Sequence, residues 1–293
     1  MKKNFLFLLF LLLTLAGCGA SEPHGQIAAT TLPVYSFTQA LCQDTGLTVE
    51  RLISEPVSCL HDYALNVDQV RNAEAAEVIV ISGAGLEDFM ADILREKPTI
   101  DASSGILLLC GEGDHDHEDH GSHEGHSHEE DPHIWLSPEN AMVMAQNICD
   151  GLCARYPQHT DVFSRNLTGL LEQLSTLQTY GRQALANLNC REIITFHDGF
   201  AYFADAFGIT ILSAVEEESG SEASAKELIQ LIELVREHRL PAIFTETNSS
   251  ASAAAVIAAE TGAKVYALDM VMSADSYFDA MYHNIDTIRE ALG

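Results

Sequence analysis

The sequence predicts an α/β protein in which two doubly wound α/β lobes are joined by one long rigid helix. Short apolar runs rich in β-branched residues, such as EVIVIS at residues 77–82 and EIITF at residues 192–196, are typical of buried parallel strands. Segments of helical periodicity lie between these runs, and the alternation indicates βα units. One uninterrupted amphipathic stretch, at about residues 160–188, separates the two alternating regions.

The first alternating region lies in the N-terminal half. Strands are predicted at residues 26–32, 47–53, 77–82 and 106–110. Helices are predicted at residues 34–43, 67–75 and 86–96. A further helix begins after Ser137, a residue type favoured at the N-cap, has Pro138 at its first position and extends to about Arg155.

The separating stretch predicts a helix of about 40 Å at 1.5 Å per residue. Its apolar face consists of Phe163, Leu167, Leu170, Leu171, Leu174, Leu177 and Leu185. A coiled-coil dimerisation helix would show the same periodicity. We favour an intramolecular connecting helix, because the α/β pattern restarts immediately after it.

The second alternating region predicts the other lobe. Its strands are expected at residues 192–196, 209–213, 241–245 and 264–268. Its helices are expected at residues 197–207, 223–238, 251–261 and 276–292. The predicted organisation is a signal peptide at 1–17, a tether at 18–25, an N-terminal lobe at 26–157, a linker helix at 158–188 and a C-terminal lobe at 189–293.

The N-terminus has the features of an export signal. Lys2 and Lys3 precede an apolar run at residues 5–15 that is too short for a comfortable membrane span. The run ends in LAGC, which resembles a bacterial lipoprotein signal with Cys18 as the lipidated residue. An ordinary signal peptide is the alternative. The prediction is a lipid-anchored protein on the extracytoplasmic face of a bacterial membrane.

The net charge limits the classes of partner, and the cysteine content bears on disulfide formation. The formal net charge of −28 argues against nucleic acid or an anionic membrane surface as the main partner and suits the attraction of cations. An exported protein can form disulfides, and the sequence does not choose among the pairings of six cysteines. These are Cys42, Cys59, Cys110, Cys149, Cys153 and Cys190.

The acidic loop, residues 111–131, contains six histidines and nine acidic residues and no apolar residue. The composition predicts a loop outside any packed core. A solubilising acidic linker needs no histidines, so we interpret the loop as an auxiliary metal-binding segment. Its histidines are His115, His117, His120, His123, His126 and His128.

Further histidines and acids stand at or after predicted strand ends, where open α/β sheets bind their ligands. His197, Glu246 and Asp269 directly follow predicted strands, His61 lies in the loop after another strand, and His133 ends the acidic loop. The separations from His61 through His133 and His197 to Asp269 are 72, 64 and 72 residues. Each half therefore offers two candidate ligands to a metal site in the interlobe cleft.

Five stretches, in order along the chain, carry a resemblance to a known family. They are HDY at 61–63 with GAGLE at 83–87, DPHIWLSPENA at 131–141, ITFHDGFAYFA at 194–204, FTET at 244–247 and ETGAKVYALD at 260–269. In these stretches the chain resembles the zinc- and manganese-binding lipoproteins of ABC importers, the substrate-binding family that includes ZnuA-like zinc proteins.

The resemblance implies two α/β lobes, one long helix and a metal ion buried between the lobes. Carried over to this sequence, it implies the ligands His61, His133, His197 and Asp269, with Glu246 orienting a ligand imidazole. The chain departs from the family in two places. Leu60 stands where many zinc relatives have an acid, and Met270 stands where the family often has proline after the aspartate.

The implied ligand set favours Zn²⁺ as the bound ion. Three imidazoles and one carboxylate suit tetrahedral zinc, whereas Mn²⁺ prefers more oxygen ligands. The resemblance also implies an ABC permease as the partner of a monomeric protein that is not an enzyme. The alternatives are a manganese-binding homologue, a zinc-storage or adhesion lipoprotein, and a zinc hydrolase with Glu246 as its base, although the chain contains no HExxH motif.

Overall fold

Two parallel sheets of four strands form the frame of the protein in the computed structural model, which describes residues 25–55, 57, 60, 63–109, 130–215, 224–247 and 252–293. The first sheet contains β1 (Ile27–Ala29), β2 (Val49–Arg51), β3 (Val78–Ile81) and β4 (Thr99–Asp101). The second contains β5 (Glu192–Thr195), β6 (Thr210–Ala214), β7 (Ala242–Glu246) and β8 (Lys264–Leu268). The strand orders, β2-β1-β3-β4 and β6-β5-β7-β8, are equivalent. The prediction of two doubly wound α/β lobes is confirmed.

Helices cover the sheets and connect the two lobes. Those of the N-terminal half are α1 (Leu32–Leu41), α2 (Val67–Ala75), α3 (Ala91–Glu96) and α4 (Pro138–Arg155). The connecting helix is α5 (Thr160–Ala184). Those of the C-terminal half are α6 (Ala201–Phe207), α7 (Ala225–His238), α8 (Ser252–Thr261) and α9 (Tyr277–Leu292). None of the helices in the described ranges has both the length and the apolar character needed to cross a membrane.

Helix α5 packs within the chain, as the intramolecular interpretation predicts. Its 25 residues give a length of about 38 Å. The helix contacts α1 and α4 of the N-terminal half and α9 of the C-terminal half. Its buried face contains Phe163, Leu167, Leu170, Leu174 and Leu177. One apolar core therefore continues from the first lobe along α5 into the second.

One predicted strand is absent from the described residues, and two predicted helices begin later than expected, the one predicted at 86–96 starting as a 3-10 turn at Asp88–Met90 that leads into α3. The predicted strand at 106–110 is absent over its described residues 106–109, and Leu107 there is 87% exposed. The fourth strand is β4, whose polar Thr99 and Asp101 flank a single buried residue, Ile100, so it lacks the apolar run used to find strands. The helix predicted from residue 197 begins at Ala201, because residues 197–200 form a turn.

The segment after β8 runs against the first lobe. Met270 O accepts a hydrogen bond from Trp135 Nε1 at 2.9 Å, and Met272 O accepts one from the Arg51 guanidinium. Ser273 Oγ donates to Val57 O at 3.3 Å. These contacts bring the strand ends of the second sheet up to residues 131–136 of the first lobe, where the candidate site lies.

Candidate metal centre

His197 lies in the turn that follows β5, beside the end of the neighbouring strand β7. The two strands pair at Thr195 and Phe244, so the residues that follow them meet at the same edge of the sheet. Glu246 is the last residue of β7, and its Oε1 lies 3.0 Å from His197 Nδ1. The Glu246 side chain is 4% exposed and that of His197 is 20% exposed. The pairing of β5 with β7 therefore sets the orientation of this imidazole.

His133 is oriented by Asp131, two residues earlier in the chain. Asp131 Oδ1 accepts hydrogen bonds from the His133 backbone nitrogen at 2.9 Å and from Nδ1 at 2.7 Å. The turn Ile134–Leu136 follows, and in it Trp135 O accepts a hydrogen bond from the Tyr277 hydroxyl at 2.8 Å. The His133 side chain is only 2% exposed. This imidazole is fixed by its own short segment and by contacts with the second lobe.

The two imidazoles face each other across the lobes. Their Nε2 atoms are 3.5 Å apart and their rings are nearly perpendicular, at 86°. Each Nδ1 faces a carboxylate oxygen, an arrangement that favours the proton on Nδ1 and leaves the Nε2 lone pair available. A tetrahedral ion held at about 2.0–2.1 Å by two nitrogens places them about 3.3–3.4 Å apart. The observed separation therefore fits a shared metal ion.

The carboxylates behind the imidazoles add to the attraction for a cation. Asp131 and Glu246 are both buried, and burying a carboxylate is costly unless positive charge or hydrogen bonds compensate it. A cation at the Nε2 atoms polarises each ring and strengthens its contact with the carboxylate behind it. The arrangement thus favours an ion with nitrogen ligands.

Gly199 leaves room for the imidazoles. A Cβ atom at this position would lie 2.7 Å from His197 Cδ2, 3.0 Å from His133 Nδ1 and 2.5 Å from Met270 Cε. The thioether side chain of Met270 therefore lines the same space as the two rings. Only the lack of a side chain at Gly199 permits this approach without a shift of its neighbours.

Asp269 directly follows β8, as predicted, and its backbone is firmly held. The Asn284 side chain accepts from Asp269 N and donates to Asp269 O, both at 2.7 Å. Asp269 Oδ1 accepts from Val271 N at 2.6 Å, so this oxygen faces its own turn. Among the residues that the structure describes, no three or more His, Cys, Asp or Glu side chains form a metal-binding group. The structure brings together His133 and His197 with their two carboxylates.

Several predicted site residues lie outside the described residues. These are His61, Cys18 and the loop histidines His115, His117, His120, His123, His126 and His128. Cys59 and Cys110 also lie outside, and Cys42, Cys149, Cys153 and Cys190 are free thiols. Burial raises the pKa of both Cys42 and Cys149 to about 12, which keeps these thiols protonated and makes them poor metal ligands.

Comparison with known families identifies the chain. The family model described as "ZnuA: Zinc-uptake complex component A periplasmic" matches residues 27–291. The chain belongs to this family. The ZnuA family is named for an uptake component and not for an enzyme, in agreement with the sequence-based prediction.

Individual relatives and solved structures agree with the family assignment. The zinc-binding lipoprotein AdcA of Streptococcus pneumoniae is 30% identical over 284 residues, covering 90% of this chain and 55% of AdcA. The chain thus spans about half the length of that curated relative. A crystal structure of ZnuA is 29% identical with a TM-score of 0.78, over 91% of this chain and 98% of that one. The Zn(II)-bound ZnuA-like domain of S. pneumoniae AdcA is 26% identical with a TM-score of 0.76, over 91% and 98% of the two chains.

Sequence reasoning missed Asp131, Gly199 and Met270. Asp131 was noted as an acid of the loop and as the first residue of the DPHIW stretch, but it was given no role, although its place two residues before His133 is a spacing at which a side chain can bond a nearby backbone nitrogen. Gly199 carries no chemical signal in the sequence, and Met270 was noted only because it replaces the proline that the family often has after the aspartate. Their importance comes from a close approach between segments that are far apart in the chain.

Proposed function

We propose that this protein binds Zn²⁺ on the extracytoplasmic side of a bacterial membrane and delivers it to an ABC permease. The observation that carries the proposal is the pair of Nε2 atoms, 3.5 Å apart, on His133 and His197. Zinc-binding names among the relatives, and a Zn(II)-bound domain that aligns with nearly its whole length to this chain, support the choice of ion.

The proposed ligands are His61, His133, His197 and Asp269. Two imidazoles come from the first lobe, and one imidazole and one carboxylate come from the second. In this proposal Asp269 binds the ion through Oδ2, because its Oδ1 accepts a hydrogen bond from Val271 N. Such a set fills a tetrahedral site, leaves no open position for a reacting water and favours Zn²⁺ over Mn²⁺.

The contact of Glu246 favours a binding site over a zinc hydrolase. A general base must reach the water that it activates. Glu246 is 5% exposed, and its Oε1 lies beside His197 Nδ1, on the opposite edge of the ring from Nε2. Its position suits the orientation of a ligand.

The remaining parts of the proposal concern anchoring and the acidic loop. We propose that Cys18 carries the lipid anchor of a monomeric protein with residues 1–17 as signal and 18–25 as tether. The lobes are assigned to residues 26–157 and 189–293, with residues 158–188 between them. The histidines of the acidic loop provide weak auxiliary sites, and the tight site lies outside the loop.

Competition titration of a soluble fragment starting at residue 19 tests this function. Residues 113–130 are deleted to remove the auxiliary sites. The deletion is compatible with the fold, because Asp131 N donates to Leu109 O at 2.9 Å and the two ends of the loop already meet. One tight site that prefers Zn²⁺ to Mn²⁺ is expected. Loss of tight binding on loop deletion would contradict the proposed site.

Delivery requires a separate test in cells. Deletion of the gene should impair growth under zinc limitation, and added zinc should restore it. Normal zinc-limited growth, together with tight binding in vitro, would favour storage or adhesion over transport.

A further inference from the structure

The hydroxyl of Tyr202 joins the two ends of the acidic loop. Tyr202 is the second residue of α6 and is 4% exposed. Its hydroxyl donates to Asp131 O at 3.0 Å and accepts from Leu109 N at 2.9 Å. Asp131 N in turn donates to Leu109 O at 2.9 Å. One side chain of the second lobe thus closes a hydrogen-bonded ring at the base of a loop that belongs to the first.

This ring leads directly to the candidate metal centre. The backbone of Asp131 is held by Tyr202, and its carboxylate holds both the backbone nitrogen and Nδ1 of His133. Tyr202 also lies five residues after His197, in the same turn-and-helix segment. One segment of the second lobe therefore presents an imidazole and fixes the residue that orients the opposite imidazole.

We propose that Tyr202 is a positioning residue for metal binding, which acts through Asp131 to hold His133 Nε2 at the distance from His197 Nε2 that a shared ion requires. The inference rests on the proposed zinc-binding function. Trp135 supports His133 on the other side through its bond to Met270 O. Loss of the Tyr202 hydroxyl leaves that support intact but removes the bond to Asp131 O, so that the Asp131 backbone is held through its bond to Leu109 O. The position of Asp131, and with it the separation of the two Nε2 atoms, then becomes more variable.

The test compares Tyr202→Phe with the matched control Tyr156→Phe in the full chain, purified in detergent. The Tyr156 hydroxyl, on a residue that is 6% exposed, donates to Glu77 at 3.1 Å in the first lobe and bonds none of the imidazoles or their carboxylates. Tyr202→Phe loses two hydroxyl hydrogen bonds and Tyr156→Phe loses one, so both variants are expected to melt at a lower temperature than the wild type. Titration with less than one equivalent of Zn²⁺, in competition with a chelator, measures the affinity of the tightest site.

Only Tyr202→Phe should weaken zinc binding. The expected loss is about tenfold, at the low end of the range for partners of metal ligands. Co²⁺ bound in place of Zn²⁺ should give a changed ligand-field spectrum in Tyr202→Phe and an unchanged one in Tyr156→Phe. Zinc affinity within twofold of wild type, with an unchanged Co²⁺ spectrum, would show that Tyr202 is only structural and would overturn the inference.

A measurement on the wild-type chain keeps the inference testable if Tyr202→Phe does not fold. Zinc binding should slow amide hydrogen exchange at Leu109, whose N–H is bonded to the Tyr202 hydroxyl. Unchanged exchange at Leu109 would overturn the inference about Tyr202 but not the proposed zinc-binding function. Absence of a tight zinc site in the wild type would overturn the proposed function, and the inference with it.

Discussion

The two imidazoles of the candidate centre present the same nitrogen to the cleft, but different structures hold them. His133 is fixed locally by Asp131, which bonds both its backbone and its ring. His197 is faced by Glu246, which reaches it only because β5 and β7 are neighbours in the sheet. The His133 side chain is 2% exposed and that of His197 is 20% exposed.

The difference teaches that one half of the site depends on a short segment and the other half depends on a whole lobe. Disturbing Asp131 should affect His133 with little effect on the second sheet. Disturbing the pairing of β5 with β7 should affect His197 first. Substitutions can therefore separate the two halves.

The largest expected effect is the loss of an imidazole. His133→Ala and His197→Ala should each reduce zinc affinity by more than about 100-fold, beyond the effect of losing a partner of a ligand. His197→Glu should weaken zinc and narrow its advantage over Mn²⁺, because a hard oxygen ligand replaces a borderline nitrogen. Competition titration on the loop-deleted fragment measures both effects.

His238→Ala is the matched control for these variants. His238 Nδ1 also faces a carboxylate, Glu192 Oε2 at 2.9 Å, but the pair joins the end of α7 to the start of β5, away from the cleft. Zinc affinity of His238→Ala should equal that of the wild type. Equal affinity of His133→Ala and the wild type would refute the assignment of the site.

The next effect comes from the two carboxylates. Asp131→Asn and Glu246→Gln should each cost about 10–100-fold in zinc affinity. Asp131→Asn should cost more, because the lost negative charge weakens two hydrogen bonds from His133 to Asp131 Oδ1. Isothermal titration with a competitor, with Glu192→Gln as the control carboxylate, measures the difference. A larger loss of zinc affinity for Glu246→Gln than for Asp131→Asn would contradict the conclusion that His133 depends more on its carboxylate than His197 does.

A smaller effect is expected from the packing of α5 against the second lobe. A Cβ at Gly181 would lie 2.3 Å from Phe207 Cε1, at the end of α6, and 3.1 Å from Ile285 Cδ1. Gly181→Ala should therefore destabilise the protein by about 1–3 kcal/mol. Gly169→Ala in the same helix, with no neighbour within 4 Å, should stabilise it by up to about 1 kcal/mol. Urea denaturation of both variants tests the pair.

The smallest expected effect concerns a buried carboxyl of the first lobe. Burial raises the pKa of Glu87 to about 7, and the negative charge of Asp101 adds to this rise. Hydrogen bonds to the carboxylate lower the pKa but do not offset the burial; their donors are Thr30 Oγ1, Ser82 N and Gly83 N. Because the pKa of Glu87 is higher in the folded protein than the usual 4.5, the protonated carboxyl stabilises the fold. This contribution is fully present below pH 4.5 and is lost as the pH rises through about 7. The loss of unfolding free energy from this one group is at most about 1.4 kcal/mol per pH unit.

Comparison of the pH dependence of unfolding tests the role of Glu87. The wild type should lose more stability between pH 5 and pH 7 than Glu87→Gln does. The exposed Glu74→Gln serves as the control and should follow the wild type. Parallel curves for the wild type and Glu87→Gln would contradict the assignment of this dependence to Glu87.

Much of the fold follows from local patterns, and part of the site follows from strand ends. The apolar runs of β3, β5 and β8 and the periodicity of α5 are properties of consecutive residues, so the sequence was sufficient to find them. His197 and Glu246 stand at strand ends of one sheet, and in the structure Glu246 Oε1 lies 3.0 Å from His197 Nδ1. The polar edge strand β4 has no such pattern.

Contacts between distant segments could not be predicted in the same way. The bond of Tyr202 to Asp131 and the approach of Gly199 to His133 depend on how the lobes pack, which no local pattern encodes. Asp131 resembled its acidic neighbours in the sequence. Only its burial and its bonds to His133 distinguish it from them.

The most direct test of the central claim is a crystal structure of the zinc-loaded, loop-deleted fragment, with zinc located by anomalous scattering. The structure should show one ion between the lobes, bonded to Nε2 of both His133 and His197 at about 2.0–2.1 Å. Asp131 and Glu246 should remain on the Nδ1 atoms of these rings. A zinc ion bound elsewhere, or bound through Nδ1, would contradict the account.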